Sequence, residues 1–338
     1  MNEMIECPPM STRRGRIAVM ILLLAAAACG SAPADRGGVR TFHLGLIEGA
    51  PAFVDFVMER HGILGQFGLK AERVESLAPA NLHRMLAEHQ VDIGFAGFTS
   101  MAAARADGKD VIVIHGVFSP TNMVFAPQDS KLRSAADLKG KKLGVFGGPP
   151  STAFAFLAVI AHNWYGVDLL KDVELVTAPG PELIQLLEKG DIDAALLGTT
   201  ESIQTLAARR HQLLLDLSEE YRTRQGGRAP AHVTIATSER FAKQHPDVVK
   251  DYLKAYKATL DYVRRHPEVW DEYAASIQIH DPEHRVLLRE RMRPNIVEAW
   301  DEAQIAVQEK YLQLVQDIVG DAALASVPRD LMRRDFSP

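Results

Sequence analysis

Residues 142–164 restrict the possible folds more than any other part of the chain. They read Lys-Leu-Gly-Val-Phe, then Gly-Gly-Pro-Pro-Ser-Thr, then Ala-Phe-Ala-Phe-Leu-Ala-Val-Ile-Ala-His-Asn-Trp. This pattern predicts a short apolar strand, a glycine turn and a helix that is apolar on nearly every face. Gly147 and Gly148 let the backbone turn sharply. Pro149 or Pro150 suits the first helical turn, where the missing amide donor costs nothing. Ser151 and Thr152 bring hydroxyls beside the unpaired amides of a helix start. Hydroxyls, amides and the positive end of the helix dipole then converge on one spot, a receptor for a polar or anionic group.

The same unit of strand, glycine or proline turn and helix start recurs, with loops at 47–51, 97–100, 147–152 and 198–201. Apolar runs at 39–46, 71–77, 91–96, 110–117, 121–126, 173–177, 190–197 and 232–237 predict the strands. Helical patterns at 52–61, 80–89, 101–106 and 181–188 fall between them. From residue 238 the chain is helical and charged, with later helices near 267–276, 281–291 and 296–319. Such alternation predicts an α/β fold with largely parallel sheets. Ligands of these sheets settle outside the carboxyl ends of the strands, where the loops gather. Two loops in each half of the chain predict two half-sites facing each other across a cleft.

A chain of 338 residues has room for about two domains. Its hydrophobic share of 47% and charged share of 24% are those of a globular protein. The net charge of −5 carries no basic footprint, which argues against nucleic acid as a partner. Cys7 and Cys29 are the only cysteines, and both lie in the N-terminal leader. That leader has a basic region at Arg13, Arg14 and Arg16, an apolar core at 17–25, and Ala26-Ala27-Ala28 before Cys29. This is the layout of a secretory signal. The small residues running into a cysteine resemble a bacterial lipoprotein signal, which implies that Cys29 is lipidated and that 1–29 is the signal peptide. Residues 30–38 are rich in Pro, Gly, Ser and Ala and read as a tether.

The order of the motifs resembles the solute-binding proteins for nitrate, sulfonates, taurine and thiamine precursors, the NMT1/THI5-like family. The first-lobe signatures are Gly-Ala-Pro-Ala at 49–52, Gly-Ile-Leu-Gly-Gln-Phe-Gly-Leu at 62–69 and Val-Asp-Ile-Gly-Phe-Ala-Gly-Phe-Thr-Ser at 91–100. Asp-Leu-Lys-Gly-Lys-Lys-Leu-Gly-Val at 137–145 and Gly-Asp-Ile-Asp-Ala-Ala at 190–195 resemble the second lobe. Ser-Glu-Arg-Phe-Ala-Lys-Gln-His-Pro-Asp-Val-Val-Lys at 238–250 resembles the return to the first.

The resemblance implies a two-lobed, type II periplasmic-binding-protein fold, each lobe a mostly parallel sheet flanked by helices, with a two-strand hinge. Lobe I would comprise 39–121 and 232–335, and lobe II 122–231. It implies a monomeric lipoprotein, outside the cytoplasm on a bacterial membrane, that delivers a small organic molecule to an ABC permease and its ATPase. The ligand-binding candidates are Glu48, Gly49, Ala50, Gly97, Phe98, Thr99, Asn122, Gly148, Ser151, Thr152, Thr199 and Glu201. No metal and no cofactor is expected. The family often carries an aromatic residue after the Asp-Ile-Asp strand; Gly198 and Thr199 stand there instead, removing a stacking surface.

None of the four loops holds Lys or Arg. An anion would depend on helix termini and hydroxyls, each worth about 0.3–1 kcal/mol. Glu48 and Glu201, facing inward, would repel it, so the residues favour a neutral or partly cationic solute. Phe98 and Phe146 are candidate apolar walls.

The twelve histidines are scattered, and neither a Walker loop, a His-Glu-x-x-His helix nor a nucleophile elbow is present. Binding is therefore expected rather than catalysis. The alternatives are a two-lobed enzyme of the pyrimidine-synthase or menaquinone-pathway type and a solute-sensing lipoprotein.

Overall fold

A computed structural model describes residues 38–47, 52–76, 79–225 and 227–336. The leader with Cys29 and the candidates Glu48, Gly49 and Ala50 lie outside the described residues. Ten strands follow in chain order: β1 (Arg40–Ile47), β2 (Leu69–Ser76), β3 (Ile93–Gly97), β4 (Val111–Phe118), β5 (Met123–Pro127), β6 (Lys142–Val145), β7 (Glu174–Thr177), β8 (Ala194–Leu197), β9 (His211–Asp216) and β10 (Val233–Ser238). They form two five-stranded sheets of order β2-β1-β3-β10-β4 and β7-β6-β8-β5-β9.

The two sheets share one pattern. In the first, β1 pairs parallel with β2 and β3, while β10 lies antiparallel between β3 and β4. In the second, β6 pairs parallel with β7 and β8, while β5 lies antiparallel between β8 and β9. Each antiparallel strand is the one that begins just after the chain has crossed between sheets, through 119–122 for β5 and through 217–232 for β10. This is the α/β arrangement expected, mostly parallel, with four strands of each sheet running one way and one against them.

The helix Thr152–Tyr165 anchors the interior. Ser151 caps it, its Oγ accepting from the Phe154 amide at 3.2 Å, and Gly166 ends it at φ 67°. Residues 152–161 are all buried, because neighbours cover the helix on every side. It packs against the helices Phe98–Ala106, Leu217–Gln225 and Glu302–Ile318. Phe156 stacks on Tyr311 with centroids 4.3 Å apart, and its plane is nearly parallel to the His232 ring at 5.9 Å. A single apolar cluster therefore runs from one sheet to the other.

Several boundaries depart from the expected ones. Both Pro149 and Pro150 fall in the turn before the helix, since Ser151 takes the cap and Thr152 the first helical position. The last long helix starts at Glu302, where the Asp301 carboxylate accepts from the Gln304 amide at 2.8 Å. The residues before it do other work: Ile296 bridges to Phe118, and the Trp300 indole donates to the Arg333 carbonyl. The helix Leu217–Gln225 and strand β9 had no counterpart in the expected elements. The helices following β10 also reach the second sheet's side, Pro282–Met292 packing on the helix Thr199–Ala208.

Phe156→Ala should cost about 3–5 kcal/mol, because the ring is fully buried between two helices and a histidine. Urea denaturation of the variant beside the parent measures it.

Candidate functional site

The carboxyl ends of β1, β3, β6, β7 and β8 and the amino end of β10 meet around one cleft of about 700 Å³. Its volume suits a small organic molecule. The first sheet and its helices supply Ile47, Pro79, Ala80, His83, Gly97, Ser100, His232 and Val233. The crossing contributes Ser119, Thr121 and Asn122. The second contributes Phe146, Ser151, Thr152, Thr177, Pro179, Thr199 and Glu201.

Among the candidates named from sequence, Gly97, Asn122, Ser151, Thr152, Thr199 and Glu201 line this cleft. Phe98 and Thr99 do not. Both follow Gly97 into a helix whose first turn faces the core, and Phe98 is fully buried against Tyr311. The Thr99 hydroxyl lies 3.5 Å from the Tyr311 hydroxyl. Gly148 does not line the cleft either; it turns at φ 68°, and a Cβ there would press on Thr177. Phe146 forms an apolar wall, as expected.

Hydrogen bonds order several lining groups. Thr121 Oγ1 and Thr199 Oγ1 lie 2.6 Å apart, joining the crossing to the second sheet's helix start. The Asn122 amide donates to the Leu197 carbonyl at 2.9 Å and so holds the crossing against β8.

Among the lining residues missed by sequence reasoning are two histidines, His83 and His232. His83 sits mid-helix, in Pro79–Ala87, and only tertiary packing swings it over the end of β3. Its Nε2 accepts the Gly97 amide at 3.0 Å, which places the proton of the neutral ring on Nδ1. His232 immediately precedes β10, and its buried Nδ1 has no partner. The buried Thr152 hydroxyl likewise has none. A Cβ on Gly97 would come within 2.6 Å of that hydroxyl, so the glycine is what lets the two lobes approach here.

Burial pushes the His83 imidazole down to about 4, and burial with His83 nearby does the same to His232. Both rings are neutral at neutral pH. With no Lys or Arg among the described lining residues, Glu201 is the one formally charged side chain that they contribute.

Two mixed sheets, each completed by an antiparallel strand from a crossing and facing the other across a cleft, define the periplasmic-binding-protein fold. The model of the family described as NMT1/THI5 like matches residues 55–269, and the chain belongs to that family. The alkanesulfonate-binding protein SsuA of Xanthomonas axonopodis pv. citri, solved with MOPS bound, aligns with a TM-score of 0.71 at 19% identity, over 87% of this chain and 98% of its own. At that identity the likeness speaks for the fold alone. The taurine-binding periplasmic protein of Escherichia coli is 28% identical over 56% of this chain and 57% of its own. A 4-amino-5-hydroxymethyl-2-methylpyrimidine phosphate synthase of Saccharomyces cerevisiae is 23% identical over 64% of this chain and 65% of its own. The chain thus spans between about half and two thirds of the length of these curated relatives.

The two neutral histidines set a pH dependence. Their folded values lie below the ordinary 6.5, so the unfolded chain takes up protons first as pH falls. Stability should be intact above 6.5 and decline down to about 4. The urea midpoint of His232→Gln should fall less over that window than the parent's, with a residual fall from His83 and the similarly buried His115.

Proposed function

We propose that this chain is the extracytoplasmic solute-binding component of an ABC importer. It captures one small organic molecule in the cleft and presents the closed form to a permease driven by an ATPase. The lipoprotein-like leader supports a membrane tether through Cys29, and a monomer suffices for this task.

The observation that carries the reading is the composition of the cleft. Hydroxyls, one amide, imidazoles and apolar walls from both sheets surround a volume of about 700 Å³. Ligand touching both sheets at once binds best when they are together and shifts the population that way.

The cleft's polar groups are engaged in ways that suit holding rather than chemistry. Ser151 Oγ accepts from the Phe154 amide and donates to the Phe146 carbonyl, and His83 Nε2 is taken by the Gly97 amide. No nucleophile and base in hydrogen-bond reach of one another result from these pairings. The yeast relative named as a pyrimidine phosphate synthase favours catalysis as the second reading.

Mass spectrometry of whatever the denatured protein releases should find one small organic solute. The same solute should stabilise the ligand-free protein on heating. Phe146→Ala should weaken its binding at least tenfold, about 1.4 kcal/mol, by titration calorimetry. Release of a molecule chemically altered on incubation would favour the enzyme instead, and failure to recover or bind any solute would overturn the receptor reading.

A further inference from the structure

Glu201 stands in the first turn of the helix Thr199–Ala208, and its carboxylate lies against two glycines at helix starts. Gly198 is the residue that caps Glu201's own helix, and Gly180 opens the neighbouring helix Gly180–Lys189. A Cβ on Gly198 would stand 2.6 Å from Glu201 Oε2, and one on Gly180 would stand 2.8 Å from Oε1. Both carboxylate oxygens thus lie close over backbone that carries no side chain of its own. First-turn amides lack partners within their own helix, and the dipole there favours negative charge. The place where two such helix starts meet, at the edge of a binding cleft, is where an incoming anion would be received. Here the chain's own side chain occupies it.

Two further groups at the cleft point to a ligand as well, Thr152 on the same side as Glu201 and His232 on the other. The Thr152 hydroxyl is buried to 4% exposure, belongs to the cleft lining and has no partner; the His232 Nδ1 beside the same seam has none either. These are neutral groups that a bound molecule would satisfy.

We propose that Glu201 fills the anion seat of this cleft, so that the captured solute is an uncharged or singly cationic nitrogen-bearing organic molecule and sulfonates are turned away. A ligand N–H or ammonium group meets the Glu201 carboxylate, and a polar group elsewhere on the ligand meets Thr152 and His232. A sulfonate would bring a second negative charge against Glu201 with no Lys or Arg among the described lining residues to offset it. Residues 48–51 and 77–78, outside the described ones, carry no Lys or Arg either. This inference rests on the receptor reading and narrows its substrate class.

The test uses the ligand-free protein with ethanesulfonate, butanesulfonate, a primary alkylamine and an aminopyrimidine as probes, read by thermal shift and calorimetry. The parent should respond to one of the nitrogen probes and to neither sulfonate. Glu201→Ala should empty the seat and bind an alkanesulfonate at least tenfold more tightly than the parent does, while losing at least tenfold for the nitrogen probe. Glu201→Gln keeps the side chain's shape and should show the second loss without disturbing the fold, as circular dichroism checks. Parent protein that binds a sulfonate as tightly as Glu201→Ala does, or that releases a sulfonate on denaturation, overturns this inference and leaves the receptor reading standing. A protein that releases no solute and responds to no probe in any of the three forms overturns the receptor reading and this inference with it.

Discussion

The burial of the helix Thr152–Tyr165 on all sides is the constraint from which the remaining architecture follows. A helix so apolar has no face to give to water and must be enclosed. The enclosure is built by helices from three distant parts of the chain, one before the first crossing, one after β9 and one near the C-terminus. Phe156, Tyr311 and His232 make the contact, and in doing so join the two sheets through an apolar seam. The first turn of that helix opens at the cleft, so the packing that stabilises the interior also fixes Ser151 and Thr152 at the cleft's edge.

Much of this was legible from residues alone, for a physical reason. Strand ends that carry glycine and run into capped helices announce themselves locally, and Gly97, Ser151, Thr152, Thr199 and Glu201 all sit at such corners. Phe98 and Thr99 share a corner with Gly97 yet point away from the cleft. The direction of a side chain in a first helical turn depends on what the helix packs against, and Tyr311 lies far along the chain. His83 was out of reach for the converse reason: it stands within a helix and reaches the cleft by tertiary packing. The helix Leu217–Gln225 escaped because Leu217 and Tyr221 are nearly its whole apolar content, too few for a visible stripe.

Membership of the NMT1/THI5-like family leaves the chemistry of the solute open, since its members' names span taurine binding and pyrimidine synthesis. In this chain that question falls to a few side chains. Imidazoles held neutral by burial, hydroxyls and one carboxylate make a cleft whose electrostatics differ from those of any site lined by guanidinium or ammonium groups. The fold brings the walls together, and the walls choose the guest.

The position of β10 has a consequence for how the molecule comes into being. This strand lies between β3 and β4, yet the whole second sheet is made in the interval that separates it from them. A nascent chain therefore carries an unfinished first sheet, with β3 and β4 lacking the neighbour that holds them together, until residues 233–238 have been made. Closing so long a loop is slow, and in that time the exposed strand edges invite wrong partners. The arrangement that gives the folded protein its two crossings thus postpones the closing of its first sheet until the second has been made.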